Sequence, residues 1–253
     1  MPSSRFSLPD LSSRLEADEW MDDFSITDAR LRRALRDLRL TNRLVGGYRA
    51  TTAVLDPVLK HRDRVRLLDV GCGSGDYLVY LARRGARFGC AVELIGVDAN
   101  PVTAGHARAY LDAQLSASLR SRVRVDIEDA LHLPYDDNAV DIAHAALFLH
   151  HFHGSDAVQL LKEMERTARL GLLVNDLHRH LLAYLGIWGL SRALGMAPMV
   201  QHDGPMSVRR GFRKDDLIDL ARAAHLPTPS IRWHWAFRWT LSTLGIGPHS
   251  RQT

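Results

Sequence analysis

Cysteine is scarce in this chain, which limits the kinds of framework that it can build. Among 253 residues, only Cys72 and Cys90 are cysteines. Two thiols cannot form a disulfide framework, and no Cys/His cluster with the spacing of a metal site can be built from them. We therefore expect no disulfide framework and no bound metal ion.

Long uninterrupted apolar runs are also missing. The segment 1–20 mixes Arg, Asp and Glu and lacks the apolar stretch of a signal peptide, which favours a cytoplasmic enzyme. The largely apolar segment 181–200 is interrupted by Ser191, Arg192, Pro198 and three glycines. A membrane span needs about 20 mostly uninterrupted apolar residues. We expect no span here, but a helical lid over an apolar pocket or a surface-associated helix.

A strong charge of one sign is the third absence. The formal net charge is +4, the isoelectric point is about 9.3, and the arginines are scattered without a long basic tail. This balance permits a nucleic-acid partner but does not indicate one. With 46% hydrophobic and 25% charged residues, the composition is typical of one globular α/β domain with a sizeable core.

Helical patterns precede the sheet. Residues 1–24 are predicted to be loose, and a helix is predicted over 28–39, where Ser25 or Thr27 can supply the N-cap. A second helix is predicted from the Gly46–Gly47 pair to Lys60. We assign residues 1–62 to an N-terminal helical cap and residues 63–253 to the main domain.

From residue 65 onward, short apolar runs alternate with helical segments, which indicates a mostly parallel sheet with helices on both faces. The predicted strands are Val65–Val70, Ala91–Val97, Val123–Ile127, Val140–Ala145 and Leu170–Asn175. Asn100 and Ser155 are the predicted caps of two of the intervening helices. After the fifth strand, 178–213 is predicted to be a helical insertion that covers the substrate. The last two strands must fit into about 229–244, so their hairpin is short or irregular.

A glycine loop follows the first strand in Leu68-Asp69-Val70-Gly71-Cys72-Gly73-Ser74-Gly75-Asp76. Glycines there let the backbone turn sharply and approach a ligand in the crevice at the carboxyl ends of the strands. A dinucleotide site requires G-x-G-x-x-G, but the spacing here is G-x-G-x-G. Asp69 and Asp76 would also repel a pyrophosphate. They suit a ligand with a cationic end, such as the ammonium and sulfonium of S-adenosylmethionine.

Further acids are predicted at the next two strand ends. Asp98 ends the second strand, where a carboxylate can accept hydrogen bonds from ribose hydroxyls. This device serves NAD sites equally, so it indicates a nucleoside without identifying it; Asp98 could also cap the next helix. Asp129 follows the third strand and can accept the adenine amino group. Taken alone, Asp129 could be an ordinary solvated loop residue.

These stretches together resemble class I methyltransferases, especially the ubiquinone/menaquinone-biosynthesis group, over about residues 65–177. Bacterial methyltransferases linked to polyketide pathways are a weaker resemblance. The resemblance implies a Rossmann-like three-layer sandwich with a seven-stranded sheet of order 3-2-1-4-5-7-6 and an antiparallel last strand. It implies that S-adenosylmethionine is the cofactor, with the methionine part held by Asp69 and the glycines, the ribose by Asp98, and the adenine by Asp129 with Ala130. The expected cofactor-binding residues are Asp69, Gly71, Cys72, Gly73, Gly75, Asp98, Ala99, Asp129, Ala130 and Leu147.

Histidines after the fourth and fifth strands are candidates for the general base. His151 and His178 are the preferred bases, and Asp176 would orient one of them or bind substrate. Each histidine could equally be structural or exposed. A basic group further on could hold a carboxylate, a phosphate or a carrier protein, or be a solvated charge run; it comprises Arg209, Arg210, Arg213 and Lys214.

The predicted function is methyl transfer to a hydroxyl or ring carbon of a small apolar acceptor of phenolic, polyketide or quinone type. The acceptor is free or carrier-linked. Three alternatives are a nucleic-acid methyltransferase, a nicotinamide oxidoreductase and a non-catalytic S-adenosylmethionine-binding module. The first lacks an Asn/Asp-Pro-Pro-Tyr loop after strand four, and the second is disfavoured by Asp76. Trp233, Trp235 and Trp239 could serve strand packing or a homodimer interface.

Overall fold

A computed structural model describes residues 9–245, which form one seven-stranded sheet with helices on both faces. The strands are β1 Arg64–Val70, β2 Ala91–Val97, β3 Val123–Asp126, β4 Val140–Ala146, β5 Ala168–Leu177, β6 Ser230–His234 and β7 Arg238–Ser242. Their order is β3-β2-β1-β4-β5-β7-β6, and β7 runs antiparallel to both of its neighbours. The predicted sheet order and the antiparallel last strand are therefore confirmed, and the terminal hairpin is short, as expected.

Nine α-helices and two short 3-10 turns complete the described part of the chain. The helices are α1 Ala29–Leu44, α2 Gly47–Lys60, α3 Asp76–Phe88, α4 Pro101–Gln114, α5 Ala117–Arg120, α6 Gly154–Thr167, α7 Leu181–Ala193, α8 Pro198–Arg210 and α9 Lys214–Ala223, and the turns are Trp20–Asp22 and Leu149–His151. Successive residues of β1 face opposite layers: Leu67 packs with α2, α3 and α4, whereas Leu68 packs with α6 and α9. Both side chains are fully buried. A parallel strand covered on both faces needs this continuous apolar run.

Two predicted helix caps are wrong. Helix α1 is capped by Asp28, whose carboxylate accepts a hydrogen bond from the backbone N–H of Arg30 at 2.8 Å, and not by Ser25 or Thr27. Helix α6 begins at Gly154, and its N-cap is His153, two residues before the predicted cap Ser155. In both places a cap-type residue stands near the start, and the backbone path decides which residue precedes the first turn.

The N-terminal segment is bound to the domain from residue 11 onward, in contrast to the loose segment predicted over 1–24. Residues 1–8 of that prediction lie outside the described residues. The carboxylate of Asp203 on α8 accepts hydrogen bonds from the backbone N–H groups of Trp20 and Met21 at 3.0 and 3.1 Å. The Arg14 guanidinium donates to the carbonyls of His150 and Phe152. We call residues 11–23 the strap, since they cross over the loop that follows β4.

Replacing Asp203 tests how the strap is held. We expect Asp203→Ala to release the backbone amides of Trp20 and Met21, because each loses a charged hydrogen-bond acceptor worth about 1.5–3 kcal/mol. Hydrogen exchange at those amides should accelerate by about 10- to 100-fold. Asp219→Ala, an exposed change on α9, is the matched control. Unchanged exchange at these two amides in Asp203→Ala would show that other contacts hold the strap.

The predicted insertion 178–213 contains α7 and α8, which pack against each other, and α8 also packs against α1 and the strap. Helix α7 buries only Ser191 of its thirteen residues, although it is almost entirely apolar. Its remaining apolar side chains therefore face a cavity or the surface. None of the helices formed by residues 9–245 is long and apolar enough to cross a membrane.

Candidate active site

A cavity of about 880 Å³ lies at the carboxyl ends of β1, β2 and β4, where ligands bind in open parallel sheets. The strap, α1, α7, α8 and the turn between β6 and β7 enclose it from above. Nine of the ten predicted cofactor-binding residues line it, namely Asp69, Gly71, Cys72, Gly73, Asp98, Ala99, Asp129, Ala130 and Leu147. The tenth, Gly75, instead ends the loop as the N-cap of α3.

The glycine loop has a backbone that only glycine adopts easily. Gly71, Gly73 and Gly75 have φ angles of +70°, +52° and +75°, all in the left-handed region. A Cβ atom on Gly71 would lie 2.2 Å from the ring of Phe148, whereas a Cβ on Gly73 would meet no described atom within 4 Å. The loop is thus packed closely at Gly71 and open at Gly73, where the cavity lies.

Asp98 connects the glycine loop to the end of β2. Its carboxylate accepts hydrogen bonds from the backbone N–H groups of Gly73 at 3.0 Å and Asn100 at 2.9 Å. Burial raises the pKa of Asp98 to about 6, although both of these hydrogen bonds act to lower it. Each carboxylate oxygen keeps a further acceptor site, so Asp98 can still receive ribose hydroxyls from the cavity side.

Asp69 lies in a buried network that sequence reasoning missed. The ring Nδ1–H of His144 donates to Asp69 at 2.7 Å, and His144 Nε2 lies 3.1 Å from the hydroxyl of Thr51 on α2. Asn175 on β5 in turn donates to Thr51 at 3.0 Å. Burial raises the pKa of Asp69, and the hydrogen bond from His144 opposes that shift. The network binds the helical cap to the floor of the predicted methionine site.

Asp76 is held by the helical cap. Asn42 on α1 and Tyr48 on α2 donate to its carboxylate at 3.1 and 2.8 Å. Asp76 also lines the cavity, beside the loop. The predicted negative charge next to the methionine site is therefore present, and the cap helices determine its position. No local pattern in the sequence pointed to Asn42 or Tyr48.

At the adenine end, Asp129 and Ala130 differ in burial. Ala130 is buried, whereas the Asp129 side chain is 61% exposed and its carboxylate accepts hydrogen bonds from the backbone of Leu131 and from His132. These bonds lower the pKa of Asp129. Opposite them, Leu147 has a φ of +54°, a strained conformation for a residue with a Cβ. Such strain is often retained where the backbone borders a ligand.

Two histidines lie at the other end of the cavity, each oriented by a carboxylate. His150 is buried, and its Nδ1–H donates to Asp176 at 2.7 Å, while His151 donates through Nδ1 to Asp22 of the strap at 2.8 Å. The Nε2 atom of His150 has no hydrogen-bond partner within residues 9–245, and the closest carboxylate oxygen, of Glu19, is 3.7 Å away. One atom each of Glu19, His150 and His151 lie within 4.8 Å of one another, a spacing that one divalent cation could bridge.

Of the three predicted catalytic residues, only His151 lines the cavity. Asp176 is buried behind His150, so it can orient a histidine without touching substrate. His178 does not line the cavity, and it accepts a hydrogen bond from the Trp233 indole at 3.2 Å. Burial, with smaller effects of His180 and Arg213, lowers the pKa of His178 to about 4. Sequence reasoning passed over His150, although it is the neighbour of a preferred candidate.

The predicted basic group serves the structure of the loop, at least at Arg210. Its buried guanidinium donates to the carbonyls of Ala17, His150 and His151 and to the carboxylate of Asp22. These hydrogen bonds use four of the five N–H donors of Arg210. Arg210 therefore holds the strap and the loop that contains His150 and His151 together.

The combination of this sheet order, a glycine loop after β1 and a carboxylate at the tip of β2 defines the class I S-adenosylmethionine-dependent methyltransferases. Residues 67–171 match the family model described as a methyltransferase domain. These residues form a methyltransferase domain of this class.

Named relatives fall in the same class. A demethylmenaquinone methyltransferase from Roseiflexus sp. (strain RS-1) is 33% identical over 63% of this chain and 66% of that protein. Ajmaline N-methyltransferase from Rauvolfia serpentina is 29% identical over 54% of this chain and 48% of that protein. The chain thus spans about half the length of the latter. The magnesium protoporphyrin IX methyltransferase from Synechocystis PCC 6803, solved with bound S-adenosylhomocysteine, shares the fold with a TM-score of 0.53 and 16% identity, over 79% of this chain and 83% of that one.

Proposed function

We propose that this protein transfers the methyl group of S-adenosylmethionine to a hydroxyl group of a small, largely apolar acceptor. The observation that carries the proposal is that one cavity is lined both by the predicted donor-binding residues and by His150, whose Nε2 has no hydrogen-bond partner among the described residues. The two relatives described above are named as an ajmaline N-methyltransferase and a demethylmenaquinone methyltransferase, which supports a small-molecule acceptor. Carrier delivery, pairing of two chains, a cytoplasmic location and a role in secondary metabolism belong to the same proposal.

The walls around the histidines are apolar, as a phenolic, polyketide or quinone-like acceptor requires. They are contributed by α1, α7, the residue that follows the strap and the turn between β6 and β7, through Phe24, Leu35, Leu38, Leu182, Ile187, Leu190, Trp235 and Phe237. Ala236 and Phe237 both have left-handed backbones, with φ of +66° and +57°. That tight turn directs Trp235 and Phe237 towards the cavity. The insertion 178–213 is therefore proposed as the lid over the acceptor.

Methyl transfer is a displacement at carbon that needs alignment more than activation, because the sulfonium already activates the methyl group. The acceptor oxygen attacks the methyl carbon, the carbon–sulfur bond breaks, and S-adenosylhomocysteine leaves. The proton of the acceptor hydroxyl passes to His150 Nε2. Asp176 positions His150 by accepting its Nδ1–H, as the carboxylate of a catalytic triad positions its histidine. His151, held by Asp22, is the proposed second polar contact for the acceptor.

Methylation of a ring carbon is the second candidate, since the same cavity admits an electron-rich ring. It would require the histidine less than a hydroxyl acceptor does. The exposed fractions of Leu182 and Trp235, 59% and 70%, support entry of an apolar molecule at that side of the cavity. An apolar wall does not suit a charged nucleic-acid duplex. The lining of the cavity therefore disfavours a nucleic-acid methyltransferase.

The test combines donor binding with turnover. Isothermal titration should show binding of S-adenosylhomocysteine and no binding of NADH. Labelled methyl transfer to a panel of phenols and hydroquinones should then identify acceptors. His150→Gln should lower turnover by about 100-fold or more, in the range of general-base catalysis, while S-adenosylhomocysteine binding stays unchanged.

His178→Gln is the discriminating second variant, because His178 lies outside the cavity lining. It should keep turnover within about threefold of the original chain. Donor binding without turnover on any acceptor would favour the non-catalytic module. Activity that disappears with EDTA and returns with a divalent cation would make Glu19, His150 and His151 metal ligands and remove His150 as the base.

A further inference from the structure

Arg238 carries a buried guanidinium that the protein does not pair. It is the first residue of β7, it is 2% exposed, and it lines the cavity. Its Nε and Nη1 atoms are inaccessible to solvent and have no hydrogen-bond partner within the part of the chain that the structure describes. Buried polar groups are almost always hydrogen-bonded, and buried charges are almost always paired. An unpaired guanidinium at a cavity wall therefore requires an explanation.

Neighbouring groups do not neutralise this cation. Burial lowers the pKa of Arg238, and Tyr77 and Asp176 only partly oppose that effect. The Asp176 carboxylate already accepts hydrogen bonds from the backbone and the ring of His150 and from the backbone of Leu177. The Tyr77 hydroxyl donates to the carbonyl of Gly47. Neither group has its hydrogen-bonding capacity directed at Arg238.

The other buried arginines of the described chain behave differently. Arg210 donates to three backbone carbonyls and to Asp22, and Arg179 donates to the carbonyls of Leu11 and Gly211 and to the carboxylate of Asp216. These two side chains build the structure through their donors. Arg238 is equally buried but donates no hydrogen bond to the rest of the described chain, so a structural role does not account for it.

We propose that Arg238 is a binding site for a carboxylate group presented by a ligand in the cavity. The planar guanidinium presents two parallel N–H donors to the two oxygens of a carboxylate at its Nε–Nη2 edge or at its Nη1–Nη2 edge, and each edge includes one of the two unpartnered nitrogens. The left-handed turn at Ala236 and Phe237 immediately precedes Arg238 and fixes where its side chain enters. This site was not among the basic residues singled out in the sequence, because an isolated Arg in a strand has no pattern.

Two molecules at the proposed active site could supply the carboxylate. One is S-adenosylmethionine, through its methionine carboxylate, and the other is an acceptor that carries its own carboxylate, such as a hydroxybenzoate. The inference deepens the proposed function but depends only on occupation of the cavity and not on catalysis. Its test can therefore fail while donor binding and methyl transfer persist.

The experiment compares Arg238→Met with the unchanged chain by titration calorimetry. The probes are S-adenosylhomocysteine, its analogue lacking the carboxylate, 4-hydroxybenzoate and 4-hydroxybenzamide. If the donor supplies the carboxylate, Arg238→Met should weaken S-adenosylhomocysteine binding by about 10- to 100-fold, the range for a charged bidentate contact, and leave the analogue unaffected. If the acceptor supplies it, only 4-hydroxybenzoate should lose affinity.

Stability gives an independent reading. Removing an unpaired buried cation should leave the melting temperature of unliganded Arg238→Met equal to or above that of the unchanged chain. Arg238→Lys keeps the charge but not the two-donor edge, so it should weaken the same probe. Arg232→Met, an exposed arginine on the paired strand β6, is the matched control and should change neither property.

Two results would overturn the proposal. One is affinity for all four probes that is equal in Arg238→Met and the unchanged chain. The other is a marked fall in melting temperature for both Arg238→Met and Arg238→Lys without ligand, which would show that the guanidinium has a structural partner. If the unchanged chain does not bind S-adenosylhomocysteine at all, that result would instead refute the proposed function.

Discussion

Gly71→Ala should lose both stability and donor binding, with the largest effect of any single methyl group added to the loop. The residue has a φ of +70°, and its new Cβ would lie 2.2 Å from the Phe148 ring. The left-handed backbone alone costs about 1–2 kcal/mol, and overpacking adds about 1–3 kcal/mol. The Phe148 ring cannot move freely, because it packs edge-on against Phe152 with ring centres 5.1 Å apart.

Urea denaturation measures this loss, and titration with S-adenosylhomocysteine measures the effect on the loop. We expect the free energy of unfolding to fall by about 3 kcal/mol and affinity to fall at least about tenfold. Gly89→Ala is a close control because its φ is +76° and its Cβ would meet no described atom within 4 Å. It should lose about 1 kcal/mol and no affinity. Equal losses of stability and of affinity in the two variants would mean that the Phe148 ring moves aside and that packing at Gly71 is unimportant.

Asp98→Asn should weaken donor binding strongly and remove its dependence on pH between about 5 and 7, the range around the carboxyl group's raised pKa. The amide offers one acceptor oxygen, whereas the carboxylate already serves the backbone of Gly73 and Asn100 with two. Its NH₂ group would oppose one of these N–H groups. Loss of charged hydrogen bonds to the ribose corresponds to about 1.5–3 kcal/mol, or about 10- to 150-fold in affinity.

The pH dependence has a defined sign. Burial raises the pKa of Asp98 to about 6, and the hydrogen bonds from Asn100 and Gly73, with smaller effects of Asp69 and His151, modify that shift. The ionised form accepts ribose hydroxyls best, so affinity for S-adenosylhomocysteine should fall as pH drops through about 6. Titrations at several pH values test this. The side chain of Asp112 on α4 is exposed, and Asp112→Asn should retain both the affinity for S-adenosylhomocysteine and its pH profile. If the affinity of the unchanged chain did not depend on pH, that result would contradict the role given to Asp98.

Local patterns were sufficient to predict residues that line one cavity. The glycine loop and Asp98 each sit at the end of a buried apolar strand, and the carboxyl ends of adjacent parallel strands meet at one edge of a sheet. To place these groups side by side, the prediction needed only the correct strands in the correct order. Asp129 follows the same rule, which is why it lies at the cavity edge despite its exposure.

The acceptor site could not be predicted in the same way. His150 gains its orientation from Asp176, 26 residues further on, because β4 and β5 pair in a particular register. His151 gains its orientation from Asp22 of the strap, 129 residues earlier. Adjacent histidines look alike in a sequence, and their roles differ only through these distant partners. The same holds for Arg238, which is singled out because no described residue accepts a hydrogen bond from its Nε or Nη1.

The amino-acid sequence alone determined the alternation of strands and helices, the sheet order that the family resemblance implies, and the strand ends at which the proposed donor-binding residues meet. Each of these depends on short-range spacing and on the geometry that all parallel sheets share. The tertiary structure alone decided that the strap closes the cavity, that His150 and His151 but not His178 line it, and that one buried arginine has no hydrogen-bond partner among the described residues. These features arise from contacts between segments far apart in the chain, and no local spacing encodes them.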